Sequence, residues 1–192
     1  METSAIAKRR EALIPLLNDS EIGVRSAAAT ALEKLEGLQG VDALLEQLKK
    51  GNLAEKVRAI YALGETGGER AIKPLVYCAS RPEVDLKGAA IDALGNLAEP
   101  STLPVLLNSL KDENSGIRAR AIRAVGNFHD PSIVAALVPF LDAGDGLTDV
   151  EAILALCKIG NKSLEDKFIK LTGSPVAVTR EAAATALGVC RT

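Results

Sequence analysis

The sequence predicts an all-α fold, a right-handed α–α superhelix of about six helix pairs stacked side by side. Three observations lead there: an apolar composition of helix formers, a phrase that recurs every 31 residues, and two helical faces within each recurrence. Of the 192 residues 47% are hydrophobic, yet only 3% are aromatic and none is Trp. The apolar set is therefore mostly Ala, Leu, Val and Ile. Ala and Leu favour helix, and small Ala side chains let helices approach closely. A β fold would draw more heavily on β-branched and aromatic residues.

The recurrence is explicit. The phrase Arg118-Ala-Arg-Ala-Ile-Arg-Ala-Val-Gly126 follows Lys87-Gly-Ala-Ala-Ile-Asp-Ala-Leu-Gly95 and, one period earlier, Lys56-Val-Arg-Ala-Ile-Tyr-Ala-Leu-Gly64. Arg25 opens another copy and Arg180 the last, so Arg25, Lys56, Lys87 and Arg118 stand at successive steps of 31. Such a period is the mark of a repeat architecture. The fifth copy reads as displaced by three, Ala152 to Gly160, with the extra residues expected in the loop 143–146 and a compensating step of 28 to the sixth. One domain, 1–192, then divides into units near 5–37, 38–67, 68–98, 99–129, 130–160 and 161–190.

Each unit opens with a first helical face. Leu13-Ile14-Leu17, Leu44-Leu45-Leu48, Leu75-Val76-Ala79, Leu106-Leu107-Leu110 and Leu137-Val138-Leu141 share one spacing, apolar at i, i+1 and i+4. Turn-forming residues follow at 18–20, 51–52, 81–82 and 112–115, and then comes the second apolar face, as at Ile117, Ala121, Ile122, Ala124 and Val125. Two helices of about 12 residues with short turns fill the period. Pro100 and Pro131 suit the first turn of a helix, with Glu99 and Asp130 placing negative charge at its positive end. Gly37 and Gly67 stand where a left-handed cap is wanted. Gly64, Gly95, Gly126, Gly160 and Gly188 either end the second helices or admit a close neighbour.

These residues resemble a known family. Val24-Arg25 through Ala31-Leu32, and Ile117-Arg118 through Val125-Gly126, look like the short HEAT-like repeats named after phycobilisome lyases. The resemblance spans all six units; its period is short beside the roughly 40–47 residues of the general repeat. It implies that the second helices line an inner, concave side. It also implies an Asp in the inter-helix turn paired with an Arg on the second helix. Asp19/Arg25 and Asp112/Arg118 match that pattern, whereas Lys50/Lys56 and Arg81/Lys87 interrupt it with like charges.

Function classes narrow by elimination. The formal charge is −2, with 13 basic and 14 acidic residues in 1–98 and 10 and 11 in 99–192. Neither half offers the basic surface that phosphate recognition needs, and the group Lys111, Arg118, Arg120 and Arg123 is small. Nucleic acid is therefore disfavoured as a partner. No stretch reaches the roughly 20 apolar residues of a membrane span, and the charged N-terminus is no secretory signal. Cys78, Cys157 and Cys190 are scattered and odd in number, which reads as buried small hydrophobes in a reducing, cytoplasmic setting rather than a disulfide framework. His129, the only histidine, falls at a link, so neither a metal site nor a catalytic base is expected; no cofactor is implied.

What remains is a surface. Counting three back from the aligned glycines gives the column Thr30, Tyr61, Asp92, Arg123, Cys157 and Thr185, which varies in type while its neighbours stay apolar. Three residues earlier come Ala27, Arg58, Ala89, Arg120, Leu154 and Ala182, on the same face. Arg58, Tyr61, Asp92, Arg120 and Arg123 are thus the candidate partner-binding residues, and Tyr and Arg are enriched at binding hot spots. The expected function is a non-catalytic protein-binding scaffold that grips a protein or peptide. The resemblance leaves two alternatives, a bilin-lyase-like chromophore-handling subunit and a nucleic-acid-binding solenoid. The Ala-rich helix from Arg180 to Val189 adds a possible surface for self-association.

Overall fold

The computed structural model describes residues 2–160 and 162–189, with side chains described for all of these except 2–5, 33, 36–39 and 162. Among the described residues there are helices and no strands. The α-helices are α1 (Glu2–Leu13), α2 (Ile22–Lys50), α3 (Leu53–Thr66), α4 (Glu69–Ala79), α5 (Val84–Leu97), α6 (Leu103–Ser109), α7 (Ser115–Gly126), α8 (Val134–Leu137), α9 (Thr148–Ile159), α10 (Glu165–Leu171) and α11 (Ala177–Val189). No described helix is long and apolar enough to cross a membrane.

The inner layer is α2, α3, α5, α7, α9 and α11, each packed on the next; α4, α6 and α10, with the short turns around α8, cover it from outside. The core repeats with the sequence. Ile60, Ile91, Ile122 and Ile153 are fully buried at steps of 31, as are Leu63, Leu94, Val125 and Leu156. From the outer layer Leu75, Leu106 and Leu137 are fully buried at the same step, and Phe168 follows at 4% exposure. Each such side chain contributes roughly 1.5–3 kcal/mol by leaving water.

This burial pattern corrects the expected shift of register. The step of 31 runs unbroken from Ile122 to Ile153 and from Leu137 to Phe168, so 143–146 absorbs no extra residues. The shift was suggested by Gly160, which belongs to another column. Gly67, Ala98, His129 and Gly160, again 31 apart, all have positive φ (67°, 46°, 51° and 76°) and close the C-termini or links of successive inner helices. The cap expected at His129 and Gly67 is therefore a property of four links. Asp149 then occupies the place of Arg118, fully buried, its carboxylate accepting from the Thr179 hydroxyl at 2.8 Å.

Three of the remaining aligned glycines, Gly64, Gly95 and Gly126, admit a neighbour. A Cβ added at Gly64 would stand 2.8 Å from Ala93 Cβ, one at Gly126 2.6 Å from Ala155 Cβ, and one at Gly95 closer still to Ala124. A Cβ at Gly188 would meet nothing within 4 Å.

Three local expectations change. No helix ends at Gly37: α2 runs on for 29 residues, serving as an inner helix and then an outer one. The stretch 36–40 holds glycines but no proline, and a helical glycine costs only about 1 kcal/mol. Conversely, the outer helices after residue 100 are short and mixed with 3-10 turns at Pro100–Thr102, Pro131–Ile133 and Val138–Asp142. Pro104 and Pro139 lack the N–H that an α-helix would use. In the first unit Ile14 and Leu17 are exposed rather than packed.

The arginine pattern also differs from the resemblance. Arg118 Nη1 donates to the carbonyl oxygens of Asp112 and Glu113, both at 2.9 Å. Arg25 does the same to Asp19 (2.7 Å) and Ser20 (2.9 Å), and Arg180 to Ser174 (2.7 Å) and Pro175 (3.0 Å). The guanidinium grips the turn backbone, which is why Ser174 serves as well as Asp. The carboxylates of Asp19 and Asp112 instead accept from the N–H of Glu21 and Asn114, each at 2.9 Å. Lys87 is no interruption: its ammonium reaches forward to Asp112 of the next unit at 2.8 Å.

Candidate partner-binding wall

The unbroken step of 31 rebuilds the inner columns. The exposed column is Thr30, Tyr61, Asp92, Arg123, Leu154 and Thr185, with Leu154 in the place given to Cys157; Leu154 is 40% exposed. The second column is Ala27, Arg58, Ala89, Arg120, Glu151 and Ala182, with Glu151 in the place given to Leu154. Both corrections follow from the cap role of Gly160.

Four of the five candidate residues touch. The Tyr61 hydroxyl donates to Asp92 Oδ2 at 3.3 Å, Arg120 forms an ion pair with the same carboxylate, and Arg123 Nη2 lies 3.8 Å from its other oxygen. Arg123 Nη1 reaches on to Glu151 at 3.9 Å. The chain Tyr61–Asp92–Arg123–Glu151 therefore crosses α3, α5, α7 and α9. Such half-exposed pairs hold well under 1 kcal/mol apiece, so they position side chains more than they stabilise the stack. A parallel row lies beside it: Lys158 Nζ donates to Asn127 Oδ1 at 3.2 Å, and Asn127 Nδ2 donates to the Gly95 carbonyl at 3.1 Å.

Two hollows flank this chain. One, of about 450 Å³, is polar and lies among Tyr61, Asp92, Asn96, Arg123, Asn127 and Lys158. The other, of about 760 Å³, has an apolar floor at Val57, Ala89 and Ile117, walled by Arg58, Tyr61 and Arg120. Gly88 keeps that floor open; a Cβ there would come within 3.2 Å of the Arg120 side chain. Arg58 is exposed and makes no ion pair among the described residues. Glu151, Asn127 and Lys158 are wall residues that sequence reasoning missed, although a strict step of 31 from Arg120 and from Asn96 lands on all three.

Other candidates disperse. Arg118 is spent on the turn carbonyls, and Lys111 lines an outer-layer hollow together with Pro104 and Phe140, so the small basic group does not share one face. His129 Nδ1 sits 2.8 Å from the Asn127 carbonyl within its own cap. Among the described residues no cluster of three or more His, Cys, Asp or Glu side chains is arranged to hold a metal. Cys78 is a free buried thiol, its pKa raised by desolvation, as expected of a small hydrophobe. Cys157 is disulfide-bonded, against the expectation of isolated thiols, while Cys190 lies outside the described residues. On α11, Val178, Leu187 and Val189 are exposed beside the buried Ala182, Ala183 and Ala186.

Known proteins share this architecture. The structure of the CpcE–CpcF complex of phycocyanin lyase from Nostoc sp. PCC7120 matches with a TM-score of 0.64 at 23% identity, over 77% of this chain and 63% of that one. This chain thus spans under two thirds of that structure's length. An engineered protein matches with a TM-score of 0.55 at 22% identity, over 94% of this chain and 96% of that one. At such identities the likeness is one of fold. A search of curated proteins gives no significant match. The family model for HEAT repeats matches residues 10–86 and again 72–148. The chain belongs to the HEAT-repeat family.

Proposed function

We propose that this protein is a non-catalytic scaffold that holds a protein or peptide partner against its inner wall, centred on Arg58, Tyr61, Asp92, Arg120 and Arg123. The observation that carries the reading is the continuous polar chain from Tyr61 to Glu151 bordering an open apolar hollow. A flat row of solvated residues would have no such floor. Extended walls of stacked repeats suit macromolecular ligands better than small ones. Arg and Tyr beside exposed apolar surface are the side chains that anchor such contacts.

Affinity capture from the source cell tests this. The Arg120→Glu/Arg123→Glu protein, folded as judged by circular dichroism, is expected to lose the partners that the parent chain retains. Capture of an identical set by both proteins removes the wall as the binding surface.

A further inference from the structure

At the joint between α5 and the turn before α7, Lys87 meets Asp112 at 2.8 Å, and both side chains are mostly buried, 19% and 17% exposed. One repeat earlier the same two positions carry Lys56 and Arg81. Two cations cannot close the joint as Lys87 and Asp112 do, and a pocket of about 400 Å³ stands there, within the usual range for small-molecule sites. Its floor is apolar, with Leu45 and Leu48 from the end of α2, Cys78 from α4 and Leu86 from α5. Three cations rim it: Lys49, Lys56 and Arg81.

The rim's charges are unequally matched. Lys49 is paired with Glu46 at 3.4 Å, and Arg81 with Glu83 at 3.0 Å while its guanidinium also donates to the Tyr77 hydroxyl at 3.2 Å. The Lys56 side chain, half-buried, makes no ion pair or hydrogen bond among the described residues; Glu83, already bound to Arg81, feels its charge without contacting it. One positive charge at the mouth of an apolar pocket is thus left with no carboxylate in contact, on a lysine whose counterpart in the next unit is capped by one. We infer that this pocket binds a small amphiphilic monoanion, an apolar chain or ring ending in a carboxylate, with the head at Lys56 and the tail over Leu45, Leu48 and Leu86. The ligand's carboxylate takes the place that Asp112 holds one unit later. This site lies away from the inner wall, and its test is independent of partner capture.

Octanoate is the probe, with octylammonium as its cationic counterpart, each titrated into ¹⁵N-labelled protein. Octanoate is expected to shift the amides of 48–56 and 77–83 saturably, with a Kd below about 1 mM. Octylammonium should leave them unsaturated. Lys56→Met keeps the stem and removes the charge; it is expected to weaken octanoate about tenfold. Arg81→Asp recreates the Lys87–Asp112 arrangement; it should raise the thermal midpoint and abolish octanoate binding together. The same affinity for both probes, full affinity in Lys56→Met, or no saturable shift at 10-fold above about 1 mM overturns the inference. A leucine-terminated tripeptide that binds where octanoate does not also overturns it, in favour of a protein C-terminus.

Discussion

At Gly64 and Gly126 the next inner helix lies so near that an added methyl group would overlap an alanine 2.8 and 2.6 Å away, and at Gly95 the overlap reaches the Ala124 backbone. Backbone atoms do not swing aside as a flexible side chain does, so relief requires moving a helix. Gly95→Ala is therefore expected to destabilise by about 1–3 kcal/mol, the ordinary cost of overpacking. Gly40→Ala should do the opposite. Gly40 lies inside α2 with nothing within 4 Å of an added Cβ, and a helical glycine gives up about 1 kcal/mol to alanine. Chemical denaturation of the two variants beside the parent checks both signs. Sequence alone left these glycines ambiguous, because a packing glycine and a capping glycine look alike in one dimension. Gly160 belongs to the second kind, and aligning it with Gly64, Gly95 and Gly126 hid Glu151 from the wall.

Between elements, the joint from α5 to the turn before α7 rests on Lys87 and Asp112. The Lys87 ammonium, donating to Asp112, holds that carboxyl below its ordinary value against the opposing effect of burial. A carboxyl depressed in the folded state contributes stability that is present above its unfolded value, near 3.9, and lost as pH falls through the folded value. Lys87→Ala is thus expected to cost about 1 kcal/mol at neutral pH. The gap between variant and parent should narrow steadily below about pH 4. Urea midpoints at pH 7, 4 and 3 measure it, and a gap that stays constant refutes the pairing as its source. This contact was hard to read in the sequence, where Lys87 appeared to spoil an Asp–Arg pairing. The arginines bind backbone carbonyls, and a carbonyl leaves no signature in residue types. The helices themselves were plain because Ile60, Ile91 and Ile122 repeat their burial at a fixed step. The outer helices were less so, since Pro104 and Pro139 break a pattern whose apolar spacing is intact.

Across the molecule, burial is uneven. Inner helices α5, α7 and α9 each carry at least five fully or nearly fully buried residues. The segment Ile14–Asn18 carries none, and Ile14, Leu16 and Leu17 face solvent. Amide exchange read by mass spectrometry should therefore be slowest in 88–95 and 119–126 and fastest before residue 20. A uniform rate along the chain would contradict a stack whose units hold one another by contact with neighbours. The layers also differ in closeness: α5 and α7 pack along their lengths, whereas α4 and α6 touch only slightly. Each unit is accordingly a wedge, narrow at the glycine edge and broad at the leucine edge, and a row of wedges bends. The bend of the inner wall rests on three absent methyl groups, at residues 64, 95 and 126. At the following joint Cys157 replaces the glycine, so its sulfur-bearing side chain should prop the edges apart and straighten the arc toward α11.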